Sequence, residues 1–340
     1  MESKTKFKVT PEVIQILVNK HFPNEDICSV KELTEGMFNS AYAVRGTGIT
    51  KDSIVLKIGP ASGTEFLTYE QEILRTEVEV YRLLEDRPVK TPGILAWDYT
   101  HEEIPCDYFF MECVKGVLWK NCIETISPEN RRQLMYELGK CNAAVHSVKG
   151  SWFGYMKEDK RFQFSTWGAA FFSMISDLLE DGKKRNCELP YDEIKDMAKK
   201  CEACLNKVKT PHLVDFDMWA GNVFIDEATH SHITGIIDFE RSFFGDPAAD
   251  FTSAVMLFEN VERESDFQKG YSEISGTPFL ITDDDKIRMN LYRLYMSVIL
   301  FVESYRYDEQ YAAAVKNHVI KDIHRLLKQL KISLSLPLCS

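Results

Sequence analysis

The 340-residue sequence has no run of about 18 apolar residues, the length a helix needs to span a bilayer, which argues against a membrane partner. Its opening residues, MESKTKFKVT, lack the apolar stretch of a secretory signal, so a cytoplasmic location is expected. Positive charge is in the minority, 41 Lys and Arg against 52 Asp and Glu, and the net charge of −11 argues against nucleic acid, whose phosphates call for a basic face. Nine cysteines contain one CxxC, Cys201 and Cys204, with no second pair and no neighbouring paired His, so they read as thiols of a reducing compartment and not as a zinc site. Neither GxGxxG nor GxxxxGK[ST] occurs, which removes the P-loop enzymes. Internal repeats and low-complexity tracts are also missing.

What is present reads as a globular chain, 44% hydrophobic and 12% aromatic, long enough that two lobes are expected instead of one core. Val9 to Phe22 has apolar residues at helical spacing, with Thr10 as N-cap and Pro11 at the first helical position. Candidate strands follow in VKELTEG, SAYAVRG and SIVLKIG, then an amphipathic helix over Glu70 to Glu85, then strands in ILAWDYT and CDYFFMECV. VKG, Val114 to Gly116, marks a crossing point between lobes. Beyond it, apolar stripes predict helices over Pro128 to Val148 and in TWGAAFFSMISDLLED, YDEIKDMAKKCEACLNKV, DPAADFTSAVMLFENV and DKIRMNLYRLYMSVILFVESY. The fold expected is α+β and bilobal, with a β-rich N-lobe over residues 1–113 and a mainly helical C-lobe over residues 114–340.

Two short apolar runs interrupt the helical half: LVDFDMWAGNVFID, Leu213 to Asp226, and GIIDFE, Gly235 to Glu240. Asp217 and Asn222 are five residues apart, enough for a loop to return both side chains to one place, and antiparallel pairing of VFID with GIID brings Asp238 alongside Asn222. One carboxylate and one amide oxygen suit Mg²⁺, which keeps its other positions for water and phosphate oxygens. Asp217 is then free to orient a hydroxyl and accept its proton. D-x-x-x-x-N, an apolar strand and an Asp is the arrangement kinases use for phosphoryl transfer. Each residue alone would pass for a turn residue; the set at this spacing carries the reading. Upstream, Lys57 sits at the centre of the apolar SIVLKIG, where burial requires a partner. Glu77 on the following helix can reach it, with Glu72 and Glu79 as competitors, leaving the ammonium aimed at nucleotide phosphates. Gly36, in TEGMFNSAYAV, would let the backbone turn closely over those phosphates.

EGM at 35–37, VLKI around Lys57, FFMECVKG at 109–116, DMWAGNVFID at 217–226 and IIDFERSFFGDPAADF at 236–251 resemble, in order, the motifs of the aminoglycoside phosphotransferase family. These are small-molecule kinases with a fold similar to protein kinases, and the resemblance spans about residues 30 to 260. It implies ATP and Mg²⁺ as cofactors, Asp217 as the base, Asn222 and Asp238 as magnesium ligands, and Lys57 with Glu77 positioning the phosphates. It also implies Met111 at the back of the adenine pocket and the backbone of Glu112 and Val114 against the purine. Asp250 matches the structural acid that braces the catalytic loop, while Asp246, in GDP, reads as an ordinary turn residue. One position departs: two residues before the base the family usually has His, and here stands Asp215. An Asp can accept loop N–H bonds in its place, but its charge should raise the pKa of Asp217, of Asp215 or of both.

The family's acceptors include aminoglycosides, macrolides, choline and homoserine, so the fold does not choose among them. Acceptor contacts are expected from Glu240 and Arg241, from Asp177, Glu180 and Asp181 at a helix end, and from Glu303 on an aromatic-rich helix. A solvated helix face accounts equally well for Asp177, Glu180 and Asp181, and Trp167, Phe171 and Phe172 read as core. The expectation is a monomeric ATP-dependent kinase of a hydroxylated, cationic small molecule of aminoglycoside type. The alternatives are a kinase of choline or another amino alcohol or sugar, and a nucleotide-binding pseudokinase supported only by Asp215.

Overall fold

Helix α1 (Pro11–His21) opens where Thr10 and Pro11 predict, although the Thr10 hydroxyl makes no capping bond to a helix amide. The computed structural model describes residues 5–36, 38–254 and 257–335. Met37 of the EGM motif and Val255 and Met256 of an expected helix lie outside the described residues. Five strands follow α1 in antiparallel pairing: β1 (Ile27–Leu33), β2 (Ser40–Gly46), β3 (Ile54–Ile58), β4 (Ile94–Asp98) and β5 (Tyr108–Glu112), in the order β1-β2-β3-β5-β4. Between β3 and β4 in the chain lies helix α2 (Ile73–Leu84). Because successive strand residues face opposite sides, Val44, Leu56, Ile58 and Phe110 pack under α1, while Val55, Phe109 and Met111 face α2. This second face shares one continuous core with the helical half of the chain.

The helix expected over Glu70 to Glu85 starts later. Thr68–Glu70 forms a 3-10 turn, Gln71 is extended and Glu72 is left-handed at φ 57°, so α2 begins at Ile73. Glu70 is drawn inward instead, accepting the Leu67 N–H at 2.7 Å and pairing with Arg306.

Gly116 makes the crossing out of the sheet. It sits at φ +119°, and a Cβ there would lie 2.3 Å from the Ile225 carbonyl oxygen, so glycine is required. Beyond it come β6 (Val117–Leu118), α3 (Pro128–His146), β7 (Gly154–Tyr155), α4 (Trp167–Lys184), α5 (Tyr191–Lys200), α6 (Glu202–Leu205) and β8 (His212–Val214). The chain continues through β9 (Val223–Ile225), β10 (Ile233–Ile236), β11 (Phe243–Gly245), α7 (Asp250–Ser253), α8 (Ser265–Ser275), α9 (Asp283–Glu303) and α10 (Glu309–Ser335). The short strands form two three-stranded sheets, β10-β9-β6 and β7-β11-β8, and these hold the loop around Asp217. Ser127 caps α3 by accepting the Asn130 N–H at 3.1 Å, and Thr282 with Asp285 forms a capping box on α9. Trp167 and Phe171 lie in the core as expected, while Phe172 is partly buried beneath Lys195 and Lys199.

Two expectations are corrected. DPAADFTSAVMLFENV is not one long helix: Pro247–Ala249 is a 3-10 turn and α7 has four residues, because the chain there turns Asp250 toward the loop before Asp217. Asp246 is more than a turn residue, being buried and accepting Arg288 Nε and the Tyr292 hydroxyl, both at 2.7 Å. Helices α8 and α10 were not anticipated. No described helix is long and apolar enough to cross a membrane.

Candidate active site

Lys57 reaches the core side of β3 with its side chain 9% exposed, and three carboxylates meet its ammonium. Glu77 on α2 lies at 2.6 Å, Asp238 at 2.5 Å and Glu240 at 3.1 Å. Helical phase selects Glu77 over its competitors: Glu79 is on the exposed face and pairs with Arg82, and Glu72 lies outside the helix. Burial alone would depress the lysine's pKa, but the three acids outweigh it and hold the group protonated. Burial pushes Glu77 and Glu240 upward, the latter to about 8, with Lys57 pulling against the rise. Tyr81 ties α2 to the same point, donating to Glu77 at 3.0 Å and accepting the Asp238 N–H at 3.1 Å. Glu240 is one of the residues expected to contact the acceptor. It belongs to this cluster instead, where it also accepts Asn39 Nδ2 at 2.5 Å from the turn before β2.

The loop from β8 to β9 presents Asp217 and Asn222 side by side, with Asn222 Nδ2 3.2 Å from Asp217 Oδ2 and 2.9 Å from its carbonyl oxygen. Pairing of β9 with β10 continues to Ile237, whose N–H donates to the Asn222 carbonyl at 3.0 Å and thereby sets Asp238 next to Asn222. Phe216 at φ 60° and Asp238 at φ 74° are both left-handed, a strain that persists only where surroundings impose it. Asp250 imposes the first. It accepts the N–H of Asp215 at 3.1 Å and of Phe216 at 2.6 Å, and is itself held by His146 Nε2 at 2.9 Å. The carboxyl of Asp217 is 23% exposed, and its pKa is pushed up to about 7 by burial, with Arg241 opposing and Asp238 and Glu303 adding to the rise.

The oxygens at this point fit a magnesium ion. Lys57 takes only Oδ1 of Asp238, and the Asn222 amide directs its nitrogen at Asp217, which turns its oxygen the other way. Glu77, Asp238 and Glu240 also bring ligand atoms within 4.8 Å of one another, but the Lys57 ammonium already occupies that cluster. Among the other expected residues, Met111 is buried near the end of β5, opposite Val55 and Ile94. The Glu112 N–H is spent on the Gly93 carbonyl at 2.9 Å, so any contact of Glu112 with a purine would use its carbonyl. Val114 packs over Gly235, where a Cβ would meet its Cγ1 at 2.6 Å. At Gly36 a Cβ would meet only the Asn39 carbonyl at 3.8 Å, so the chain's own packing does not require glycine there.

A family model, APH, the phosphotransferase enzyme family, matches residues 29–278, more than half of the 340 residues. The chain belongs to this phosphotransferase enzyme family. Solved structures agree on the fold. A candidate aminoglycoside phosphotransferase from Ralstonia eutropha JMP134 aligns with a TM-score of 0.67 and 14% identity, covering 96% of this chain and 99% of that one. A candidate fructosamine-3-kinase from Thermobifida fusca YX-ER1 gives 0.65 and 16%, covering 94% and 100%. The ternary complex of streptomycin, ATP and APH(2'')-IIa gives 0.58 and 16%, covering 94% and 99%. No curated protein sequence matches the chain significantly. The fold is therefore the bilobal, protein-kinase-like α+β fold, and the protein is a small-molecule phosphotransferase.

Within the phosphotransferase frame, the bracing of the loop falls mainly to Asp250, not to Asp215 in the histidine position. Asp215 is fully buried, its oxygens make no well-formed hydrogen bond among the described residues beyond a weak approach of the Asp217 N–H, and Asp250 takes the Asp215 and Phe216 N–H groups. Burial first, then Asp250, Asp217 and Asp238, raise its pKa well above the usual carboxylate range. The sequence also missed the buried ion network beside the base. Arg241 lies 3.8 Å from Asp217 and 2.9 Å from Glu303, Glu303 accepts from the Tyr69 hydroxyl, and Arg306 pairs with Glu70. The acids expected at the acceptor are engaged elsewhere: Asp181 accepts the Thr68 N–H at 2.5 Å, Asp177 faces Arg161 at 3.7 Å and Glu180 pairs with Lys183 at 2.8 Å.

Proposed function

We propose that this phosphotransferase moves the γ-phosphoryl group of ATP to a hydroxyl of a small molecule. One observation carries the reading: Lys57, Glu77 and Asp238 meet within 2.6 Å contacts, and Asp238 stands beside the Asn222–Asp217 pair. Asp217 is the base, placed on a strained turn with a pKa near neutrality, where it can accept the hydroxyl proton as the oxygen attacks. Lys57, held by Glu77, positions the phosphates, with Gly36 in the turn above them. Met111 backs the adenine, with the Glu112 carbonyl and the Val114 N–H as its backbone contacts. Asn222 and Asp238 would hold Mg²⁺, which when bound would neutralise the phosphate oxygens. Support for the nucleotide comes from structural neighbours solved with ATP, ADP or GDP.

Two acceptor classes have support. An aminoglycoside-like cation is favoured by neighbours complexed with streptomycin or hygromycin B and by the net charge of −11. Another hydroxyl compound, such as a sugar, is favoured by the engagement of Asp177, Glu180 and Asp181 with partners of their own. ADP release measured with and without a panel of hydroxyl acceptors tests the activity. Titration calorimetry of Mg–ATP against Asp238→Ala and Asn222→Ala tests the metal site. The charged ligand should matter more, and unchanged affinity and turnover in Asp238→Ala would reject the assignment.

A further inference from the structure

We infer that a cavity between α9, α10 and the segment before α8 binds a small phosphate-bearing anion, apart from the phosphotransfer site. The cavity holds about 530 Å³, within the range of small-molecule sites. Arg293 of α9 lines it, about 15 Å along the helix axis from Glu303, which ties α9 to Arg241 and the base. Arg293 is half-buried. Its Nη1 donates to Asn290 Oδ1 at 3.2 Å, but no carboxylate meets it among the described residues. Arg241, Arg288 and Arg306, also drawn inward, each touch an acid: Glu303, Asp246 and Glu70 respectively. Burial works against those three charges, and the acids outweigh it. Around Arg293, burial and then the neighbouring Arg325 both work against the charge and pull its pKa down. Arg325 lines the cavity from α10, and its only acid among the described residues is Asp322, a surface partner on the same helix at 3.0 Å. Two guanidinium groups thus share one cavity as a like-charge pair, and an anion between them removes the repulsion.

The amides of the lining are set as donors. Asn290 Oδ1 is taken by Arg293, Gln329 Oε1 accepts Arg325 Nη1 at 3.3 Å, and Asn260 Oδ1 accepts the Glu262 N–H at 2.9 Å. With each oxygen engaged, the NH₂ of each amide has no acceptor among the described residues. The spare capacity of the two arginines and three amides is therefore donor only. Glu262 does not compete, being matched by Lys286 at 3.1 Å, and Glu259 is exposed, where water and salt screen it. An arginine fork pairs with two oxygens of a carboxylate or of a phosphate. A flat carboxylate fills one fork, whereas the tetrahedral oxygens of a phosphate serve both arginines at once.

The test follows thermal unfolding of the full chain in inorganic phosphate, against sodium chloride at matched ionic strength. Saturating Mg–AMP-PNP is present throughout, so that the Lys57 site does not take the phosphate. The wild type should show a saturable gain in Tm from phosphate that chloride does not give. Arg293→Gln and Arg325→Gln should each weaken the apparent phosphate affinity at least about tenfold, through loss of a charge-assisted contact. Without phosphate, Arg325→Gln should be as stable as the wild type or more so, because the like charge facing Arg293 is gone. An arginine serving only the fold would give the opposite sign. Should Arg293→Gln fail to fold, the exposed Arg325→Gln still carries the test. A wild type that gains no more from phosphate than from chloride overturns the inference. So does a gain kept in full by Arg325→Gln, which places the anion elsewhere or reduces the effect to general salting-out. A variant-sensitive gain larger in malonate than in phosphate overturns the phosphate class, and a clearly less stable free Arg325→Gln overturns the like-charge argument.

Discussion

Lys57 and Asp215 are both buried ionisable groups within the same site, and the chain treats them in opposite ways. Around Lys57, three acids converge on one ammonium, so a charge that burial alone would remove is kept. Around Asp215 the charges that act on it are acids, and only the Asp217 N–H approaches its carboxyl among the described residues. Charge is retained where an opposite charge is close enough to repay desolvation, and is given up by protonation where it is not. The nucleotide half of the site is thus built to keep the Lys57 charge, whereas the loop behind the base is built to favour a neutral Asp215. Asp217 stands between the two, with Arg241 on one side and acids on the other.

The largest effect expected from breaking this arrangement is at Asp217. Asp217→Asn keeps the shape and the Asn222 contact but cannot accept a proton, so turnover should fall roughly 10²- to 10⁴-fold while Mg–ATP affinity survives. Near-normal turnover would show that the base lies elsewhere. Next is Lys57→Met, which leaves Glu77, Asp238 and Glu240 facing one another without a cation. Denaturant unfolding should show a loss of about 3–5 kcal/mol, the range for removing one partner of a buried ion pair. A loss below about 1 kcal/mol would mean that the three acids are not held together in solution by the lysine.

Smaller, and specific to the boundary between the halves, is the pH dependence of kcat/KM. Asp217 must be ionised to act as base, and burial has pushed its pKa up to about 7. The rate should therefore fall about tenfold per pH unit below that point, and a rate flat from pH 5 to 8 would exclude a titrating base of this kind. Removing Arg241, which opposes the rise, should move the limb to higher pH.

How much of this was legible depended on how far apart in the chain the contacts lie. The Asp217–Asn222–Asp238 arrangement is local, a loop and one strand pairing, and its spacing alone brings the residues together. Lys57 announced itself as a charge in an apolar strand, and only the phase of α2, which starts at Ile73 and not at Glu70, was needed to choose Glu77. Asn39 with Glu240, Tyr69 with Glu303 and Arg306 with Glu70 join positions about two hundred residues apart, and no periodicity encodes such pairs. The same holds for α7: its apolar spacing suggested a long helix, but the need to direct Asp250 at the Asp215 and Phe216 amides breaks it. Asp215 departs from the family pattern in the sequence, but only the fold shows that Asp250 takes the Asp215 and Phe216 N–H groups and leaves the Asp215 carboxyl buried among acids.

The last expected effect, read only as a difference between two pH profiles, concerns that residue and tests the neutral half directly. Burial among acids raises the folded-state pKa of Asp215 well above its ordinary value of 3.8, so above that pH the folded chain holds a proton that the unfolded chain releases. The stability it contributes is fully present below pH 3.8 and is lost as pH rises toward the folded pKa, because the unfolded state then binds fewer protons than the native one. Asp215→Asn removes the titration and keeps the size. The variant should gain on the wild type as pH rises above about 4, by at most about 1.4 kcal/mol per pH unit. Its kcat/KM limb should scarcely move, since replacing a neutral acid takes no charge away from Asp217. Unfolding curves for the pair at several pH values decide the matter. If the two chains show the same pH dependence, Asp215 is ionised in the folded protein, and a cation or water must then meet it. If the limb shifts clearly downward in Asp215→Asn, the wild-type residue carries a charge beside the base, and the loop is not the neutral half of the site.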